Sequence, residues 1–246
     1  MSDEPRLRTA DKTPPPYPLG KFPKGMLHII ASEIVYLLCT RGRADLVGDD
    51  WERIFAAGIH AEWKPSNIGL DDVRLGACCW GAKTVKSTAP ERIRSVRLIS
   101  GRNSPDFSYS VPNVRDLQPA ELGAKVLGIW NTRVSSVRAR FAHCRTVVLV
   151  KGPDLARCAV FETETIRYEP ELFTWTWNPN NNLVGHDEHG HLRFTWQPHG
   201  SQFTITEDVP TNRIAFKLRA PEPLPRDATL NALGFDDSWI ELLPSL

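Results

Sequence analysis

Apolar residues recur every three or four positions at Leu122, Val126, Ile129, Trp130, Val134, Val137 and Phe141. That spacing predicts an amphipathic helix over 119–142, opened by Pro119 with Glu121 in its first turn. Leu27, Ile30, Ile34 and Leu37 predict a second helix near 25–40. A shorter one over 49–57 starts on Asp49-Asp50, where acids suit the positive helix end. Elsewhere the period drops to two or the apolar run becomes continuous. Strands are predicted near 72–76, 78–86 and 94–100, followed by a loop over 100–105. Residues 145–151 read as a buried strand and 158–163 as its hairpin partner. From Phe173 onward aromatic and polar residues alternate, giving strands at 173–177, 192–196 and 202–205, with the turn 178–182 between the first two. Residues 1–24 are proline-rich and predict an extended arm, and the segment after Pro221 is loosely patterned.

The order of elements predicts an α/β fold, a mixed central β-sheet flanked by helices over 25–170, with a β-rich C-terminal extension over 171–246. No apolar run is long enough to span a membrane, and the charged N-terminus lacks the apolar centre of a secretory signal. Five cysteines without regular spacing, two of them adjacent at Cys78-Cys79, fit reduced buried thiols in a cytoplasmic protein. Charge changes the picture more. Residues 83–151 hold thirteen Lys/Arg against four Asp/Glu, although the whole chain is balanced at +1. A segregated basic stretch suits a polyanion, because Lys and Arg contacts to phosphate supply much of nucleic-acid affinity.

That stretch begins at the segment richest in candidate chemistry. Asp71-Asp72 enters one short strand, Gly76 marks a tight turn, and the next strand carries Trp80-Gly81-Ala82-Lys83. Phosphodiester hydrolysis needs an activated water, stabilised charge on the phosphate and a protonated leaving oxygen. A carboxylate that holds a divalent cation, beside a lysine that serves water and phosphate, meets those needs. Asp72 is the metal-ligand candidate, with Asp71 as the alternative because successive strand residues face opposite sides. Lys83 is the lysine, and Lys86, three positions on, points to the other face of an unbroken strand.

The succession of helix, strands bearing Asp72 and Lys83, long helix and buried strand resembles the core of the PD-(D/E)xK nuclease superfamily, which includes most type II restriction endonucleases. The resemblance covers about 26–151 in the order of elements, and 70–86 in motif. It implies a magnesium-dependent, sequence-specific endonuclease acting on double-stranded DNA. It also implies a homodimer, since a two-fold protein matches a symmetric site. Gly81 departs from the pattern, standing where the family carries its second acid. Some members move that acid to a neighbouring helix, so Glu33, Glu91 and Glu121 are candidates for completing the catalytic shell.

Asn and Gln can pair with adenine and Arg with guanine in the major groove, which makes Arg102, Asn103, Gln197, His199 and Gln202 candidate DNA-binding residues beside Lys86. Two rival readings stand. One is a DNA-binding module on the same fold without cleavage, favoured by Gly81. The other is a metal hydrolase built on His186, His189 and His191, with His199 nearby. No Gly-x-Ser-x-Gly elbow, Walker motif or Gly-x-Gly-x-x-Gly supports a serine hydrolase, a nucleotide hydrolase or a dinucleotide enzyme.

Overall fold

A computed structural model describes residues 13–41, 43–219 and 221–243. The elements run α1 (Met26–Arg41), α2 (Gly48–Gly58), β1 (Glu62–Trp63), β2 (Val73–Leu75), β3 (Cys78–Lys86), β4 (Ser95–Arg102), α3 (Pro105–Tyr109) and α4 (Pro119–Arg138). They continue with β5 (His143–Lys151), β6 (Arg157–Glu164), β7 (Thr174–Trp177), β8 (Leu183–His186), β9 (Leu192–Gln197), β10 (Gln202–Asp208), β11 (Ile214–Lys217) and α5 (Arg226–Leu233).

The expected α/β architecture is present, built on two sheets. A mixed six-stranded sheet has the order β1-β2-β3-β5-β6-β11, with β3 and β5 parallel and the remaining pairs antiparallel. An antiparallel five-stranded sheet has the order β4-β10-β9-β8-β7. The sheets exchange strands across residue 170. β4 leaves the N-terminal half to edge the second sheet, and β11 returns to edge the first. The sequence division at 170 is therefore not a boundary between sheets.

Helices α1 and α2 cover one face of the six-stranded sheet. Met26, Ile30, Ile34 and Leu38 of α1 and Trp51, Ile54 and Phe55 of α2 pack on Val73, Trp80, Val147, Leu149 and Val160. The buried face of α1 thus follows a strict four-residue step, and Leu27 and Leu37, expected in it, lie at its margin. The opposite face meets α4 at one end, through Cys79 and Cys144 against Leu122, Val126, Trp130, Val134 and Val137. Trp175, Phe194, Trp196, Phe203 and Ile205 of the five-stranded sheet close the same core. At the other end, Val96 and Leu98 of β4 pack directly on Val148, Val150 and Phe161. β5 is apolar throughout its middle because both of its faces are covered. Helix α4 stops at Arg138, four residues short of the expected end, because the chain must turn to start β5 at His143.

Of the predicted N-terminal arm, residues 13–24 are described and are anchored to the core through Tyr17, Gly20 and Phe22; the rest lies outside the described residues. Tyr17 is buried, and its ring lies over Trp80 with centroids 5.9 Å apart. Buried Glu162 of β6 gathers the Gly20 amide (2.7 Å), Trp80 Nε1 (2.9 Å) and Arg145 (3.1 Å), so the arm is tied to the core by a satisfied charge. Among the described residues, no helix is long and apolar enough to cross a membrane.

Candidate functional site

Two-residue turn chemistry builds the site. Gly76, with φ at +57°, lets β2 and β3 join directly and pair Leu75 with Cys78. The hairpin sets Asp72 at the entry to β2 alongside the middle of β3. Its chain neighbour Val73 pairs with Trp80, and its carbonyl accepts the Lys64 amide at 2.8 Å. The Asp72 side chain is 3% exposed and accepts the Ser66 amide at 3.1 Å. Lys83, half-buried on β3, donates to the Gly69 carbonyl at 3.2 Å.

A third charged group joins them from α2, at a residue that the sequence pattern does not mark as part of a site. Glu52 of α2 lies near enough for its charge to act on both Asp72 and Lys83. Burial pushes the Asp72 carboxyl up to about 6, Glu52 pushes the same way, and Lys83 and backbone donors oppose them. Lys83 is held below its ordinary value, first by burial and against the pull of Asp72, with Arg133 adding to the lowering. Arg133 reaches in from α4 and donates to the carbonyls of Ile68 and Ser100. Glu52, Lys83, Lys86 and Arg97 line one cleft between the start of α2 and the edge strand β4.

Position 81 has no room for a side chain, because backbone occupies the space. A Cβ at Gly81 would lie 2.9 Å from the Gly69 carbonyl oxygen and 3.1 Å from the Leu70 Cα. The loop that gives Lys83 its carbonyl partner therefore fills the space that an acid at 81 would use.

The other expected residues are sorted by their partners. Asp71 is 0% exposed and paired with Arg74 at 2.6 Å and Arg140 at 3.0 Å, so it is a buried ion-pair centre and turns away from the Asp72 side. Glu33 lines a separate groove between α1 and α2 with Tyr36, Asp50 and Arg53. Glu121 is exposed at the start of α4, 3.7 Å from Lys125, and Glu91 pairs with Arg157 at 3.0 Å. None of these three acids lines the cleft. Lys86 is exposed at the end of β3 and does line it.

Asn103 is wholly buried, which removes it from base contact. Its amide donates to the Val126 carbonyl at 2.9 Å, and its carbonyl accepts Trp196 Nε1 at 2.7 Å. Arg102, Gln197 and Gln202 are brought together by register, as Gln202 faces Arg102 on one side and Gln197 on the other. His199 is exposed in the turn between β9 and β10.

The histidine group is a hairpin turn. Asp187 accepts the backbone amides of His189 (3.0 Å) and His191 (2.8 Å), and both rings are exposed with centroids 6.0 Å apart. Among the described residues no three His, Cys, Asp or Glu side chains meet to hold a metal. The cleft offers the Glu52 carboxylate in company with Lys83, and the buried Asp72 carboxylate lies near enough for its charge to act on that lysine. That oxygen donor set suits a hard cation that keeps several of its waters, and not zinc.

No protein-family model, no curated protein and no solved structure matches the chain.

Proposed function

We propose that the protein is a magnesium-dependent endonuclease of the restriction-enzyme kind, hydrolysing double-stranded DNA at specific sequences. One observation carries this reading: Glu52 and Lys83 line a cleft whose other charged residues are Lys86 and Arg97, and buried Asp72 lies near enough for its charge to act on Lys83 and for that of Glu52 to act on it. Asp72 and Glu52 would hold the cation, which supplies a more acidic bound water and Lewis-acid stabilisation of the phosphate. Lys83, fixed by the Gly69 carbonyl, orients the attacking water or the scissile phosphate. Lys86 and Arg97 neutralise flanking phosphates and set the strand in the cleft. Cutting both strands of a symmetric site calls for a second copy of the chain.

The test is incubation with long methylated and unmethylated duplex DNA, with magnesium or with chelator. The variants Lys83→Ala and Glu52→Gln are run alongside. Discrete fragments that need magnesium, vanish in Lys83→Ala and fall sharply in Glu52→Gln support the proposal. Among the described residues no three ligating side chains meet, which favours a second reading, a DNA-binding module without cleavage. It predicts duplex that is shifted but intact under every condition.

A further inference from the structure

The end of the five-stranded sheet beyond the cleft carries a row of side chains with nothing to bind inside the protein. Trp196 and Phe203 point into the core, so their neighbours Gln197 and Gln202 point outward. The register Gln197–Gln202–Arg102 lines up an amide, an amide and a guanidinium across three adjacent strands. Among the described residues, none of these three side chains has a hydrogen-bond or ion-pair partner, and neither has His199 at the turn just beyond them. Arg193 on the same sheet, by contrast, is tied to Asp208 at 3.0 Å.

We propose that this row is the edge that reads DNA bases in the major groove, an inference that rests on the nuclease reading of the cleft. Three strands span about 10 Å, and the major groove is about 12 Å wide, so the end of the sheet fits with His199 leading. The donor set matches base edges: Arg102 pairs with the O6 and N7 of guanine, and Gln197 and Gln202 with the N6 and N7 of adenine. The recognised half-site therefore contains a guanine beside adenines.

The same strand links reading to chemistry. β4 places Arg97, Leu98 and Ile99 at the cleft and Arg102 in the row, roughly 10–16 Å further along, or about three to five base pairs of duplex. The edge is rigid relative to the cleft because Asn103 clamps it. Its amide N–H donates to the Ser201 carbonyl at 2.8 Å, its carbonyl holds Trp196, and its side-chain oxygen accepts Arg133 at 3.5 Å. Arg133 in turn holds the loop at Ile68 that leads to Gly69 and Lys83.

The experiment selects bound and cut sequences from a random duplex pool. It compares the wild type with Arg102→Ala, with Gln202→Ala and with the control His189→Ala at the opposite end of the sheet. Thermal melting confirms that these exposed-site variants remain folded. Arg102→Ala is expected to relax the preference at one guanine by about 10- to 100-fold while keeping the salt-dependent affinity for any duplex. Gln202→Ala relaxes it at an adenine, and His189→Ala leaves it unchanged. Unaltered preference in both edge variants overturns the proposal and leaves the nuclease reading intact; wild-type cleavage without sequence preference overturns the proposal and the site-specific part of the nuclease reading, and leaves only magnesium-dependent cleavage standing. A preference for single strands also overturns it. A wild type that neither binds nor cuts duplex DNA overturns the nuclease reading and the edge together.

Discussion

The carbonyl oxygen of Gly69 stands 2.9 Å from where a Cβ on Gly81 would lie, so the loop before β2 and the middle of β3 touch backbone to backbone. The Gly69 carbonyl also holds the Lys83 ammonium, and that one contact ties the absence of an acid at 81 to the placement of the lysine. An acid placed at 81 would push the loop away from Lys83.

Gly81→Ala is accordingly expected to destabilise the protein by about 1–3 kcal/mol, since neither side of the clash is a flexible side chain. Cleavage should fall further than stability does. Gly81→Asp should behave the same way and should not raise activity. Urea denaturation beside magnesium-dependent cleavage checks both, and a gain of activity in Gly81→Asp would falsify the backbone-contact account.

Glu52→Gln should lower cleavage by about 100-fold or more with duplex affinity kept, because it removes a carboxylate and leaves the basic rim in place. Its pH profile carries a second signal. If Asp72 holds the cation as proposed, activity should decline as pH falls through about 6, where its carboxylate gains a proton. Loss of the Glu52 charge makes Asp72 easier to ionise, which moves the decline to lower pH in the variant. An unshifted residual profile would count against the Glu52–Asp72 interaction.

Asp72→Asn should abolish cleavage and stabilise the metal-free fold. The folded-state value near 6 lies above the ordinary 3.8, so the native protein binds this proton more tightly than the unfolded chain. The wild type therefore loses stability as pH rises from about 4 to about 6, and the neutral variant does not. A gain of about 1–3 kcal/mol is expected at pH 7, shrinking to none below pH 4. Magnesium should raise the Tm of the wild type and leave that of the variant unmoved. Thermal melts at pH 4 and pH 7, with and without magnesium, measure all of these.

Asp71→Asn should do the opposite. It leaves Arg74 and Arg140 without the carboxylate that they share, and the expected cost is about 2–4 kcal/mol. Magnesium should still raise its Tm by the wild-type increment. Loss of that increment at full stability would restore Asp71 as a metal ligand.

Local pattern alone determined the helices α1, α2 and α4, the β2–β3 hairpin and the continuous apolar run of β5, because each is a matter of period, turn residue or burial on both faces. It also brought Asp72 and Lys83 together, since one hairpin holds both. Only tertiary structure decided the rest. Glu52 has no sequence mark as a site residue; it reaches the cleft because α2 packs on β3 through Trp51 and Phe55, a contact between segments about thirty residues apart. Asp71 and Asp72 are chemically identical in sequence, and the nearness of Arg140 at the end of α4 makes one a structural ion-pair centre. Asn103 looked like a surface donor until the Trp196 and Val126 contacts enclosed it. The row Gln197–Gln202–Arg102 exists only because β4 crosses to the second sheet and pairs with β10. Residue type and spacing fix what one element can do. Which charges share a low-dielectric pocket depends on how separate elements pack, and that is settled by long-range burial.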